Sequence, residues 1–122
     1  MNGDVIRLQF PARSDYILAV RLAVSAVAER VGFDIEDIED LKVASAEACT
    51  LLLSAGARQI DITLTVQGGL EILFEAQGST KEISEDSDGL SQYLLDALVD
   101  TCEIGSDGGA VKSIRLQKTL LL

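Results

Sequence analysis

The sequence predicts an α+β fold: a two-layer sandwich of about five mainly antiparallel strands with three helices on one face. Three observations carry that prediction. Residues 58–66 and 70–76 alternate apolar and polar around a Gly68-Gly69 turn, as a hairpin does. The alternation is one-sided, which is the mark of an antiparallel sheet with one solvated face. Between residues 15 and 55 the apolar period changes from two to about 3.6, the helical repeat.

Residues 4–10 place Ile6, Leu8 and Phe10 on one side of a first strand, which Pro11 ends. Ser14 or Asp15 then opens a helix over 15–31, with Ile17, Val20, Val24, Val27 and Val31 on its inner face and Gly32 as its stop. Asp34 opens a second helix, with Asp37 three residues on as in a capping box. Glu36, Asp37, Glu39 and Asp40 sit where the helix dipole favours negative charge, so this acidic cluster reads as capping rather than chemistry. Ile38, Leu41, Ala44 and Ser45, Ala48 and Leu52 form the inner face of this helix, which ends near Ala55-Gly56.

In the hairpin, Ile60, Ile62, Leu64 and Val66 point inward from one strand and Leu70, Ile72, Phe74 and Ala76 from the other. Residues 78–88 lack periodicity and read as an acidic loop. A third helix over 89–100 is expected to bury Leu90, Tyr93, Leu94, Ala97 and Leu98. Strands near 101–104 and 110–118, joined by a turn at Ser106-Asp107-Gly108-Gly109, close the chain. The element order is β-α-α-β-β-α-β-β. There is no repeat or linker, and residues 1–122 are expected to form a single domain.

Apolar residues make up 48% of the chain, with three Phe, two Tyr and no Trp, so the core is aliphatic. The sequence contains no histidine. That removes His-based nucleophile pairs, zinc sites and phosphorelays. A formal charge of −10 without a basic stripe argues against direct nucleic-acid binding and suits a basic protein partner. Met1-Asn2-Gly3-Asp4 has no leader character, and no run is apolar for the length of a membrane span. Isolated Cys49 and Cys102 are expected to be reduced, buried thiols of a cytoplasmic protein.

The element order, with Glu39-Asp40-Leu41-Lys42-Val43-Ala44-Ser45-Ala46-Glu47-Ala48-Cys49-Thr50 on the second helix, resembles the anti-sigma factor serine/threonine kinases. These belong to the histidine-kinase-like (GHKL) ATPase superfamily. Phe10-Pro11-Ala12, the segment from Arg21 to Ser25, and Val31-Gly32-Phe33 extend the resemblance over nearly the whole chain.

The resemblance implies an ATP-Mg pocket built from three motifs. In the first, a glutamate is the general base, and an asparagine four residues on holds Mg²⁺. Glu47 matches the glutamate, but Leu51 stands at the asparagine and has no oxygen. In the second, an aspartate two residues before a glycine reads adenine. Here Ala76 replaces the aspartate and Gly78 remains. The third is a glycine-rich lid leading to amides that cradle phosphate. Here Gly89 remains, Ser91 replaces a glycine, and Asp88 is expected at the N-cap.

Two functions follow from the resemblance. One is a pseudo-kinase without ATP or any other cofactor, in which Glu47 is a vestige and Leu51, Ala76, Gly78, Gly89 and Ser91 mark a decayed pocket. It would act in bacterial transcription control by binding a sigma factor, an anti-sigma factor antagonist or a related kinase. The other is an active kinase that phosphorylates an antagonist with ATP-Mg, with Thr50 or Asp88 as substitute metal ligand. Family members usually pair through the first strand and helix, so the resemblance also implies a possible homodimer. Ala19, Ala23 and Ala26 offer the smooth face for it.

Overall fold

A computed structural model describes residues 3–78, 85–107 and 110–121, without the side chains of residues 85–89 and 110. The elements are β1 (Asp4–Pro11), a 3-10 turn (Ser14–Tyr16), α1 (Ile17–Val31), α2 (Ile35–Ser54), β2 (Gln59–Val66), β3 (Gly69–Gln77), α3 (Glu85–Leu98), β4 (Thr101–Asp107) and β5 (Ala110–Thr119). One antiparallel sheet runs β1-β2-β3-β5-β4, in which β3 and β5 pair although they are not adjacent in sequence. The α+β class and element order are those the sequence predicts.

The alternation that predicted the hairpin also fixes its register. Ile62 lies opposite Phe74, and Leu64 opposite Ile72, so all four face the helices. They join Leu70, Ile114 and Leu116 in one continuous core with Val20, Val24 and Ala28 of α1 and Leu41, Ala48 and Leu52 of α2. Gly69 is required at the hairpin: its φ is +153°, and a Cβ there would collide with the Lys118 carbonyl of β5.

The cap of α2 forms as read, with the Asp37 amide donating to Asp34 Oδ1 at 2.9 Å. Beside this cap Lys118, on β5 and nearly buried, reaches two helices. Its Nζ donates to the Leu98 carbonyl at 3.0 Å and lies 3.5 Å from Asp37 and 3.9 Å from Asp40. The end of α3 is thereby tied to the start of α2.

Several expectations are corrected. The first helix begins with a 3-10 turn, and β4 continues through Asp107, so Ser106 and Asp107 are strand rather than turn. Gly108-Gly109 and residues 79–84 lie outside the described residues. The largest correction concerns α3. It starts at Glu85, so residues 85–88 are helical, and Asp88 is its fourth residue instead of its N-cap. Glu85 and Asp86 occupy the turn where the helix dipole stabilises acidic residues. The buried face is also different: Ser91, Leu95 and Val99 are inside, whereas Leu90 and Tyr93 are 72% and 76% exposed and Leu94 and Ala97 face outward. Of the residues expected inside, only Leu98 is partly buried against the core.

Candidate functional site

The positions singled out in the sequence lie on α2, the end of β3 and α3. Glu47 is two turns from the end of α2 and half-buried. Its Oε1 accepts a hydrogen bond from Ser91 Oγ at 2.7 Å, the length of a charge-assisted contact. Ser91 is 9% exposed. A serine at this position therefore does more than replace a small residue: it fastens α3 onto α2 at the carboxylate aligned with the general base.

Leu51 lies one turn further along α2 and is 3% exposed within the core cluster. The residue before it, Thr50, is exposed, and its hydroxyl donates to the Ala46 carbonyl at 2.9 Å. Ala76 lies opposite Ile60 in the β2–β3 ladder and packs, partly buried, on the same core. Gly78 has φ +96°, and a Cβ there would sit 2.8 Å from the Cβ of Arg58. The turn after β3 thus requires this glycine for its own geometry. Gly89 is the fifth residue of α3. Only the first four amides of a helix lack an internal acceptor, so the amides of Gly89 and Ser91 fall beyond those that can cradle an anion.

Of the six positions, Glu47 and Ser91 meet directly, Leu51 and Ala76 share the core, Gly78 serves local backbone geometry, and Gly89 lies within α3. As arranged, the set does not fit a magnesium nucleotide. Leu51 offers a cation no oxygen, Ala76 offers adenine no acceptor, and one Glu47 oxygen is held by Ser91. Among the described residues, no three His, Cys, Asp or Glu side chains gather as a metal cage. A cleft of about 730 Å³ lies elsewhere, where α1 passes into α2, lined by Phe33, Ile35 and Ile38.

Sequence reasoning missed the Ser91–Glu47 bond and the role of Lys118. The bond joins residues 44 apart, and no local pattern announces it. A signal for the inner face of α3 was present in the spacing of Ser91, Leu95 and Val99, but the denser stripe of Leu90, Tyr93, Leu94 and Ala97 masked it. Both cysteines are free, Cys49 buried and Cys102 only partly so. Burial pushes the Cys49 thiol up to about 12. Burial, with a contribution from nearby Asp96, pushes Cys102 up to about 11.

A five-stranded antiparallel sheet under three helices, with Glu47 on the second helix facing the third, is the arrangement of a histidine kinase-like ATPase domain. The chain belongs to that family, whose profile matches residues 10–118, and it falls with the anti-sigma factor serine kinases. The serine-protein kinase RsbW of Bacillus licheniformis is 32% identical over 98% of this chain and 75% of its own length. That of Bacillus subtilis (strain 168) is 30% identical over 98% of this chain and 76% of its own. In three dimensions, the RsbU and RsbW domains of Rv1364c from Mycobacterium tuberculosis align with a TM-score of 0.73 at 16% identity. That alignment covers 95% of this chain and 32% of the other, and it supports the fold. Among the described residues, no helix is long and apolar enough to cross a membrane.

Proposed function

We propose that this chain is a regulatory protein of the anti-sigma factor type that acts by binding other proteins and has lost ATP binding. Its partners would be a sigma factor, an anti-sigma factor antagonist or a related kinase, met in the cytoplasm. The free thiols of Cys49 and Cys102 suit that compartment.

One observation carries the reading: Leu51, at the position aligned with the Mg²⁺-binding asparagine, is a core residue rather than a pocket residue. Phosphoryl transfer depends on positioning and on neutralising phosphate charge, so losing the metal ligand removes more than one contact. The hold of Ser91 on Glu47 acts in the same direction, because the carboxylate aligned with the base already has a partner.

Calorimetric titration with Mg-ATP and Mg-ADP tests the reading. No heat of binding is expected at millimolar nucleotide. A Kd below about 100 μM, which corresponds to roughly −5.5 kcal/mol, overturns it. Transfer of labelled phosphate to an antagonist protein, abolished by Glu47→Ala, would establish the active kinase instead.

A further inference from the structure

A helix that is apolar on two opposite faces has one face too many for a single core. The inner face of α3 is used by Ser91 and Leu95, continued by Val99 just past its end. Its outer face repeats at i, i+3, i+4, i+7 with Leu90, Tyr93, Leu94 and Ala97, all exposed. This is the spacing of a helix laid against another helix, and it spans about two turns.

The charge of the helix limits what can cover that stripe. Residues 85–98 include Glu85, Asp86, Asp88 and Asp96 and not a single Lys or Arg. Asp86 comes one turn before Leu90 on the same helix, and exposed Asp96 flanks the stripe, accepting a 3.2 Å bond from Gln92. A second copy would bring the same four acidic residues against these, and like charges at close range oppose association. An uncharged apolar segment would bring no positive charge to meet them.

We propose that the outer face of α3 docks a cationic amphipathic helix of another protein. Leucine-like side chains of the partner would fill the spaces between Leu90, Tyr93 and Leu94, and Lys or Arg at its edges would meet the carboxylates. The proposal rests on the protein-binding part of the function above and is independent of whether ATP binds.

The test uses the intact chain and three synthetic helical peptides of about four turns. One is a Leu/Lys amphipathic helix, the second is the same helix with Glu for Lys, and the third is a scrambled Leu/Lys sequence of equal charge without an apolar face. Binding is read by anisotropy of a dye on the peptide. The first peptide is expected to bind at least about tenfold more tightly than either control. Leu90→Ser with Tyr93→Ser is expected to remove that advantage, and Asp96→Lys to weaken binding with a reduced salt dependence. All three substitutions are at exposed positions, and circular dichroism verifies that the fold is kept.

Equal binding of the scrambled peptide, or binding unaffected by Leu90→Ser with Tyr93→Ser, overturns the proposal. So does self-association that this double substitution abolishes, which would assign the face to a second copy. A nucleotide titration showing ATP binding would overturn the loss of ATP binding and leave the peptide result standing. Failure of the first peptide alone would remove this surface and leave the nucleotide reading intact.

Discussion

Leu51→Asn restores, on paper, the side chain expected at a kinase metal site. In this fold it is expected to destabilise the protein. Leu51 is almost fully enclosed, so truncating it removes apolar contacts worth about 2–5 kcal/mol with the residual cavity included. Asparagine refills part of that volume, but its amide enters an apolar site without a designed partner, at about 1–3 kcal/mol. Partial refilling and partial solvation offset some of this, and the net expectation is a loss of about 3–5 kcal/mol. For a domain stabilised by about 5–15 kcal/mol, that is a large fraction. With a urea slope of about 1–3 kcal/mol per molar, the midpoint should fall by roughly 1–5 M. The assay is urea unfolding followed by far-ultraviolet dichroism, with Leu53→Asn, at a half-buried neighbour, as the control that should cost less. A loss below about 1 kcal/mol, or a gain of Mg-ATP binding in Leu51→Asn with Ala76→Asp, would refute the reasoning. Either result would mean that the position still opens onto a pocket.

Three further predictions follow from contacts and exposure. Ser91→Ala and Glu47→Ala should couple by about 0.5–1.5 kcal/mol in a double-mutant cycle of unfolding, and strict additivity would remove the bond between them. The raised thiol of Cys49 binds its proton more tightly in the folded chain than in the unfolded one. Its contribution is therefore fully present below about pH 9 and is lost as pH rises toward about 12, so Cys49→Val should lose less stability across that window; identical alkaline profiles of the two proteins contradict this. Exposed Leu18 and Leu22 are the large apolar residues on the outer side of α1. Leu18→Asp with Leu22→Asp should lower any self-association seen by sedimentation at micromolar concentration, and unchanged sedimentation of an associating parent would exclude α1 as the pairing surface.

The sheet was legible because each strand carries its own instruction: Ile60, Ile62, Leu64 and Val66 can face only one way without exposing four apolar side chains. The cap at Asp34 was legible because it acts over three residues. The third helix was misread where local pattern supplies two answers. Leu90, Tyr93, Leu94 and Ala97 make the more apolar stripe, yet burying Tyr93 would require a partner for its hydroxyl, whereas Ser91 finds one in Glu47. That choice depends on a residue 44 positions away, which no periodicity contains. Motif spacing pointed to Glu47, Leu51, Ala76, Gly78, Gly89 and Ser91, but not to the packing around them: Leu51 is buried in the core and Ser91 bonds Glu47. Burial of Leu51 and the early start of α3 at Glu85 are outcomes of packing between α2 and α3.

Lys118 and Ser91 together have a mechanical meaning. Lys118 ties the last turn of α3 to the first turns of α2, and Ser91 rivets the middle of α3 to Glu47. A lid that works as a gate needs one free edge and one hinge. Among the described residues this helix is held at two points, Ser91 and the Leu98 carbonyl, and a helix held at both places resists swinging as one rigid lid. Under the proposed function, binding on this chain would be graded by how much partner is present rather than gated by the phosphorylation state of a bound nucleotide.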